Sequence, residues 1–186
     1  YSHDGQRVKK TIGGVSTYYP FRHYTVTGTT TEKDIYANGQ LVATVSNEVG
    51  TTTAYWDHSD HLGGSAVISD IDVLGVEEIR YYPFGAVEYD NSTTDFEQSK
   101  KYAGTEYDDE SGLSYMGARY QNGQTWRFIS QDPVFWEDPK KQNLQNPQTL
   151  HSYSYANNNP IVNKDPLGRA SYIFNGGAGM IGTDVF

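Results

Sequence analysis

Short strand-like runs separated by turn residues occupy the N-terminal half of the chain. They are rich in Val, Ile, Thr, Tyr and Phe, which favour the β conformation, and they are Arg7–Ile12, Val15–Phe21, Asp34–Tyr36, Gln40–Val45, Thr51–Trp56 and Ala66–Ser69. The dipeptide Asn38-Gly39 between two of the runs predicts a two-residue hairpin turn, because both residue types tolerate positive φ. The regular spacing of runs and turns therefore predicts a meander of antiparallel hairpins.

An aromatic motif is repeated along the chain. Tyr18-Tyr19-Pro20-Phe21 recurs as Tyr81-Tyr82-Pro83-Phe84, and Tyr1–Gly5 has the pattern of the start of another such unit. Repeated hairpins stack on their neighbours because one unit cannot bury its apolar face alone, so we expect a spiralling sheet. Proline cannot donate a hydrogen bond to a strand ladder, and each Tyr-Tyr-Pro-Phe motif should therefore mark a strand end or a bulge.

Turn residues become dense after Lys100. Proline follows Asp or Asn at Asp132-Pro133, Asp138-Pro139, Asn146-Pro147, Asn159-Pro160 and Asp165-Pro166. The residue before a proline favours extended geometry, so we expect this region to be compact but irregular. One short helix is predicted over Pro147–Asn157, with Asn146 as its cap. The Gly-rich tail Ser171–Phe186 is expected to be a flexible or newly starting segment.

Composition narrows the class of protein. The chain is 36% hydrophobic and contains 19 Gly, 16 Tyr and no Cys, which favours an ordered β protein and excludes disulfides and thiolate metal sites. A formal net charge of −9 argues against binding to nucleic acid. No apolar run approaches the ~20 residues that span a bilayer, so we expect no membrane insertion by this segment. Because Tyr1–Gly5 is neither an initiator sequence nor a signal peptide, we expect a fragment that begins within a repeat.

The motifs of the C-terminal two thirds occur in a specific order. They are Asp60-His61-Leu62-Gly63-Gly64-Ser65, Tyr82-Pro83-Phe84-Gly85, Tyr102-Ala103-Gly104, Gly112-Leu113 with Tyr115, Gly117-Ala118-Arg119-Tyr120, Trp126–Pro133 and Tyr153–Pro160. In this order they resemble the core domain associated with Rhs repeats in YD-repeat proteins, over about residues 1–168. Gln121, Trp126 and Arg169 depart from the family, which has an aromatic residue, a Gly and commonly an apolar residue at these positions. We expect the first two to affect packing and Arg169 to affect cleavage efficiency.

The resemblance implies a mainly β fold, in which an antiparallel hairpin spiral forms a hollow cocoon. An irregular plug with at most a short helix would curl inward at its C-terminal end. The corresponding boundaries are 1–100 for the shell segment, 101–169 for the core and plug, and 170–186 for the start of a variable region. In bacterial members the cocoon encloses a C-terminal toxin. The implied partner is therefore the chain's own effector region, with an immunity protein or delivery machinery outside the shell, and the implied location is secreted or at the bacterial cell surface.

Self-cleaving members of the family cut just after a Pro-x-x-x-x-Asp-Pro-x-Gly segment, and Pro160–Gly168 fits that spacing. The resemblance carries the catalytic roles to Arg119, Asp132 and Asp165, and it places the cut close to Arg169–Ala170. Two neighbouring carboxylates share one proton, so the ionised one can take a proton from water while the other polarises the scissile carbonyl. Arg119 would orient a carboxylate or stabilise the developing oxyanion. This chemistry requires neither a metal nor a cofactor.

Simpler interpretations stay open for the same residues. Asp-Pro is a common turn opener, so Asp132, Asp138 and Asp165 taken singly predict turns, with Arg119 as a structural ion-pair partner. The order and spacing of the set favour catalysis for Asp132 and Asp165, whereas Asp138 stays a turn residue. His58-Ser59-Asp60-His61 has the residue types of a metal site, but its position between two strand runs favours a hairpin turn.

Two functions therefore compete. The first is the C-terminal part of a toxin-encapsulating shell, with intramolecular aspartyl autoproteolysis that releases a C-terminal effector. The alternative is a non-enzymatic shell for cell-surface adhesion or structural support, with an inactive site, since animal teneurins use a similar shell for cell–cell adhesion. The intact set of Arg119, Asp132 and Asp165 favours the first function.

Overall fold

The structure, a computed structural model, describes residues 1–3, 5–137 and 147–169, together with the backbone of residues 172–173. Strands dominate these residues, and the α-helix among them, α1 (Val134–Glu137), has four residues. The predicted mainly β fold is therefore confirmed. None of the helices in this part of the chain is long and apolar enough to cross a membrane.

The first nine strands form one antiparallel sheet in which each strand pairs with the next along the chain. They are β1 (Lys9–Ile12), β2 (Val15–Phe21), β3 (Tyr24–Thr27), β4 (Thr30–Ala37), β5 (Gln40–Glu48), β6 (Thr51–Ser59), β7 (Ser65–Ser69), β8 (Gly75–Tyr81) and β9 (Val87–Ser92). Asn38 and Gly39 turn between β4 and β5 with φ of 52° and 76°, which confirms the predicted hairpin. Strand β9 is largely exposed and polar, so no hydrophobic pattern in the sequence predicts it.

Both copies of the Tyr-Tyr-Pro-Phe motif interrupt regular pairing. The register between β2 and β3 shifts between Tyr18 and Phe21, so Pro20 lies at an irregularity of the ladder. In the second copy Tyr81 is the last residue of β8, and Pro83 lies in the turn that follows. The prediction of a bulge or a strand end at each proline is confirmed.

A second sheet follows in the region for which the sequence predicts irregular structure. Strands β10 (Glu106–Asp108), β11 (Leu113–Met116), β12 (Arg119–Asn122) and β13 (Arg127–Phe128) form a four-stranded antiparallel meander. Each strand has two to four residues, and tight turns at Gly112 (φ 68°) and Gly117 (φ 62°) separate them. Strands this short have too few positions to show an alternation of apolar and polar residues. The sequence of this turn-rich region therefore does not predict the sheet.

The single helix predicted over Pro147–Asn157 is wrong. The structure has two 3-10 turns instead, Pro147–Leu150 and Ala156–Asn158, and residues 156–158 take left-handed φ between 50° and 57°. The segment between them pairs with β13, since the carbonyl of Tyr153 accepts a 3.0 Å hydrogen bond from the Phe128 N–H. That bond requires an extended backbone, which a continuous helix would not provide. The predicted cap Asn146 lies outside the described residues.

The second sheet and the following turns pack against one end of the large sheet. A buried core joins the two regions and consists of Leu62, Tyr102, Ala103, Met116, Phe128, Tyr155 and Ala156. The Tyr102 hydroxyl donates a 2.9 Å hydrogen bond to the Pro83 carbonyl. Its ring lies against Gly85, where a Cβ atom would stand 2.3 Å from the ring and the backbone φ is +84°. Gly85 is therefore needed for this contact, which fixes the C-terminal region on the β8–β9 turn.

Ionic contacts tie the start of the large sheet to the second sheet. Arg7 donates to both carboxylate oxygens of Asp108 at 2.8 and 2.6 Å, and its guanidinium lies 4.3 Å from the ring centroid of Tyr115. Lys10 reaches the same carboxylate at 2.8 Å. Buried bidentate pairs of this kind fix orientation as well as distance. The two sheets are thus joined by ionic contacts at Asp108 as well as by the buried apolar core.

Candidate autoproteolytic site

Arg119 is the centre of the candidate site. It begins β12, directly after the Gly117-Ala118 turn, and only 3% of its surface is exposed. The guanidinium carbon lies 3.5 Å from the ring centroid of Phe128, so the ring covers one face of the cation. Burial lowers the pKa of Arg119, and the neighbouring carboxylates Asp165 and Asp132 oppose that shift. An arginine remains charged under these conditions, so the site has a permanent buried cation.

Every nitrogen of the Arg119 guanidinium has an acceptor. Nη2 lies 3.0 Å from Oδ2 of Asp132 and 3.0 Å from Oδ2 of Asp165. Nη1 donates to the Ser152 carbonyl at 3.0 Å, and Nε donates to the Gly168 carbonyl at 2.6 Å. One side chain therefore gathers three segments of the chain that are far apart in sequence.

Asp132 enters the site from the turn that starts α1. Its Oδ1 accepts a 3.0 Å hydrogen bond from the Val134 N–H, and its own N–H donates to the Ser152 carbonyl at 2.9 Å. This is the arrangement that the Asp-Pro turn interpretation predicts. The other oxygen, Oδ2, faces Arg119, so the same residue serves as a turn residue and as a member of the site. Burial raises the pKa of Asp132, although the Val134 N–H and Arg119 favour its ionised form.

Asp165 lies opposite Asp132 and is almost completely buried. Its residue exposure is 1%, and its Oδ1 accepts a 3.0 Å hydrogen bond from the Arg169 N–H. Because both Oδ2 atoms lie 3.0 Å from the same nitrogen of Arg119, the two carboxylates are within about 6 Å of each other. The side chains of Arg119, Asp132 and Asp165, predicted from motif order, are thus brought together in one cluster.

The segment before the predicted cut is held in a hairpin. Strand β14 (Asn163–Lys164) pairs with β15 (Tyr172–Ile173), and Asp165 to Arg169 lie on the loop between them. Gly168 has φ +65°, and a Cβ atom there would stand 2.4 Å from the Met116 carbonyl oxygen. Only glycine allows the loop to approach the β11–β12 turn this closely. The Leu167 carbonyl accepts a 3.1 Å hydrogen bond from the Ala118 N–H at the same turn.

Contacts to the large sheet also position this hairpin, and the sequence did not reveal them. The Lys164 ammonium donates to the Leu62 carbonyl at 2.6 Å, and His61 Nε2 lies 2.9 Å from the Ile161 carbonyl oxygen. His58 faces another partner, Ser69 Oγ, at 2.9 Å. The two imidazoles predicted as an alternative metal pair therefore bind separate groups. In the part of the chain that the structure describes, no group of three or more His, Asp or Glu side chains is arranged to hold a metal ion.

The position of the cut is only partly described. Arg169 lies at the end of the held loop, and its side chain forms an ion pair with Glu137, an acidic residue for which the sequence gave no signal. Ala170, the predicted residue after the cut, and Asp138, predicted to be a turn residue, lie outside the described residues. The structure therefore gives the geometry on the N-terminal side of the proposed scissile bond.

Comparison with known proteins identifies the family. The family model described as the teneurin YD-shell matches residues 24–161, which is most of the chain. The chain belongs to the YD-shell family. The predicted resemblance to YD-repeat proteins is thereby confirmed.

Curated relatives of this YD-shell chain include a bacterial nuclease and a bacterial toxin subunit. It is 29% identical over 178 residues to the tRNA3(Ser)-specific nuclease WapA of Bacillus spizizenii, a match that covers 90% of this chain and 7% of that protein. It is 30% identical over 132 residues to the toxin subunit YenC1 of Yersinia entomophaga, covering 68% of this chain and 12% of that protein. The chain thus spans a small fraction of the relatives that it matches.

Solved structures support the same fold. The crystal structure of TcdB2-TccC3 without its hypervariable C-terminal region matches 90% of this chain and 9% of that one, with a TM-score of 0.70 and 22% identity. The Photorhabdus luminescens Tc holotoxin pore matches 100% of this chain and 9% of that one, with a TM-score of 0.67 and 19% identity. The chain therefore has the shell fold of proteins associated with toxins.

Proposed function

We propose that this chain is the C-terminal part of a toxin-encapsulating YD shell and cleaves its own backbone between Arg169 and Ala170. The observation that carries the proposal is the convergence of Asp132 and Asp165 on one nitrogen of the buried Arg119. A structural ion pair needs one carboxylate for one guanidinium. Two carboxylates at one cation can share a proton, which is the requirement of acid–base hydrolysis by an aspartyl dyad.

The roles of the two carboxylates are proposed from the raised pKa of Asp132. Burial raises the pKa of Asp132, so this carboxyl is the proton-bearing member. Both carboxylates accept from Arg119 Nη2 and from one backbone N–H, that of Arg169 for Asp165 and that of Val134 for Asp132, so these donors do not separate the two. We therefore assign the acid to Asp132, which leaves Asp165 as the base.

The proposed reaction is a hydrolysis with one water molecule. Asp165 takes a proton from the water, whose oxygen forms a bond to the carbonyl carbon of Arg169, while Asp132 protonates the carbonyl oxygen. The carbon–nitrogen bond to residue 170 then breaks as Asp165 gives its proton to the leaving nitrogen, which becomes an amine. One hydroxyl of the intermediate returns its proton to Asp132 as the new carboxylic acid forms, so both carboxyl groups regain their starting states. Arg119 carries the positive charge that stabilises the anionic stages. The scissile segment belongs to the same chain, so binding costs no loss of translational freedom.

The cleavage would divide the chain at the predicted boundaries. Residues 1–100 form the shell segment and 101–169 the core and plug, while residues 170–186 begin the region that is released. The WapA relatives are nucleases by name and YenC1 is a toxin subunit by name, which supports an effector as the cargo on the C-terminal side. Enclosure before release would protect the producing cell. A secreted or cell-surface location, with an immunity protein or delivery machinery as outside partners, belongs to the same proposal.

The test uses the full chain with a C-terminal affinity tag, analysed on a denaturing gel and by intact mass. We expect the wild type to separate into residues 1–169 and a tagged fragment, and we expect Asp132→Asn and Asp165→Asn to stay intact. Asp138→Asn is the matched control, since Asp138 also precedes a proline, and it should cleave like the wild type. A wild-type chain that stays intact would favour the adhesion or structural shell with an inactive site.

A further inference from the structure

Arg169 is the residue before the proposed cut, and the structure gives its charge a partner. Its guanidinium forms an ion pair with the carboxylate of Glu137, and about half of each side chain is exposed. The backbone N–H of the same Arg169 donates to Asp165 Oδ1 at 3.0 Å. The residue before the proposed cut is therefore held at two points, by its main chain at the dyad and by its side chain at Glu137.

Glu137 and the acid Asp132 belong to one rigid turn. Asp132 accepts the Val134 N–H at the start of α1, and the Glu137 N–H donates to the Pro133 carbonyl at 2.9 Å at its end. Proline at position 133 fixes φ at the first turn. The same turn therefore holds Asp132 and the main chain of Glu137, so a side chain that reaches Glu137 lies beside the element that carries the acid.

A free cation at position 169 would disturb the site. The positive charge of Arg169 favours the ionised form of Asp132 and opposes the charge of Arg119, whereas Glu137 favours the protonated form of Asp132. Asp132 is the more accessible carboxylate of the dyad, with 18% of its side chain exposed. Without Glu137, the flexible Arg169 side chain could pair with Asp132 and remove the proton that the proposed mechanism needs.

We propose that Glu137 is the specificity-determining residue of the self-cleavage reaction, because it binds the basic side chain of residue 169 and keeps that charge away from the dyad. This inference rests on the proposed function. It names the substrate class of the site: a basic residue on the N-terminal side of the cut, in place of an apolar one. Glu137 acts on the cleaved residue and takes no part in the proton transfers.

The experiment measures the rate of self-cleavage of the full tagged chain for a set of charge variants. Glu137→Gln should slow cleavage about fivefold, the upper range for an exposed ion pair, and Glu137→Lys should slow it further. Arg169→Glu should be slow alone and should recover at least half of the lost rate when combined with Glu137→Lys. In a chain that carries Arg169→Leu, Glu137→Gln should slow cleavage less than it does beside Arg169, because only its direct charge effect on Asp132 remains. Glu88→Gln, a change on an exposed strand residue of β9, is the control for net charge.

The dependence of the cleavage rate on pH separates the proposed role of Glu137 from a merely structural role. The cleavage rate should fall as the pH rises through the pKa of Asp132, because the acid then loses its proton. Glu137→Gln removes a charge that favours the protonated acid, so this falling limb should move to lower pH. A purely structural Glu137 would lower the rate equally at every pH.

The outcomes distinguish the two proposals. A wild-type chain that never cleaves would overturn the proposed function itself. A wild type that cleaves, together with a Glu137→Lys variant that cleaves at the same rate, would overturn the role of Glu137 alone. Failure of the charge exchange to restore cleavage, in variants that melt at the wild-type temperature, would also overturn it.

Discussion

Nε of Arg119 donates a 2.6 Å hydrogen bond to the carbonyl oxygen of Gly168. The guanidinium that receives both carboxylates therefore also holds the peptide group directly before Arg169. In this way the cation fixes the two carboxylates and the segment before the proposed cut relative to each other. Proximity of this kind allows a modest acid–base pair to hydrolyse a peptide bond.

Gly168→Ala tests this close approach. The added Cβ would stand 2.4 Å from the Met116 carbonyl oxygen at a φ of +65°, so the loop must move away from Arg119. We expect a loss of about 1–3 kcal/mol in the free energy of unfolding and at least a tenfold loss in cleavage rate. Gly50→Ala is the control, because it has a φ of +86° with no atom within 4 Å of the added Cβ, and it should keep the wild-type rate. Equal rates for Gly168→Ala and the wild type would contradict the account of this contact.

Arg119→Lys tests the need for a guanidinium. A lysine has one nitrogen and cannot reach both carboxylates and the carbonyls of Gly168 and Ser152 together. We expect cleavage to slow by about 100-fold, the scale of losing one preorganised electrostatic contact. The exposed Arg80, paired with Glu78, provides the control Arg80→Lys, which should leave cleavage unchanged. Rapid cleavage by the Arg119→Lys chain would assign Arg119 a structural role.

Asp108→Asn tests the ionic tie between the two sheets. The change leaves the buried Arg7 without its carboxylate, and removing one partner of a buried pair costs about 3–5 kcal/mol. Urea unfolding should show this loss. Glu110, which pairs with Lys10 at 3.5 Å in a more exposed position, gives the control Glu110→Gln, with an expected cost below about 1 kcal/mol. Similar midpoints for the two variants would show that the Arg7 pair adds nothing to stability.

Glu77 predicts a pH dependence of stability. Burial raises its pKa from 4.5 to about 7, so the folded chain keeps a proton that the unfolded chain releases between these values. The free energy of unfolding should therefore fall as the pH rises from about 4.5 to 7, by roughly 1–2 kcal/mol after allowance for solvent screening. Glu77→Gln should remove this slope, whereas Glu78→Gln on the exposed side of β8 should keep it. Denaturant titrations from pH 4 to 8 would check both variants, and an unchanged slope in Glu77→Gln would contradict the prediction.

The large sheet could be predicted because the residues that specify each of its hairpins are adjacent in sequence. A hairpin such as that at Asn38-Gly39 is specified by residues that tolerate positive φ, and the flanking runs carry strand-forming side chains. Predictions from local sequence patterns are wrong where contacts between distant residues determine the structure. The helix predicted over Pro147–Asn157 does not form because the middle of this segment pairs with β13. The spacing of apolar residues in the segment does not indicate that pairing.

The candidate site could be predicted only from the order of motifs. Arg119 and Asp165 are 46 residues apart in sequence, so no spacing rule brings them together, and only the family resemblance linked them. The groups that position the loop are main-chain carbonyls, such as those of Gly168 and Ser152, and residue type does not specify them. Glu137 was missed because an exposed acid in a turn-rich region has no distinguishing pattern.

The most direct test of the central claim is the mass balance of the cleaved chain. Intact-mass spectrometry of the freshly prepared tagged protein should show two fragments that appear together, the first ending at Arg169. Their masses should sum to the mass of the intact chain plus one water, and Asp132→Asn and Asp165→Asn should show the intact mass alone. A wild-type chain that keeps its full mass, or aspartate variants that cleave at the wild-type rate, would contradict the account.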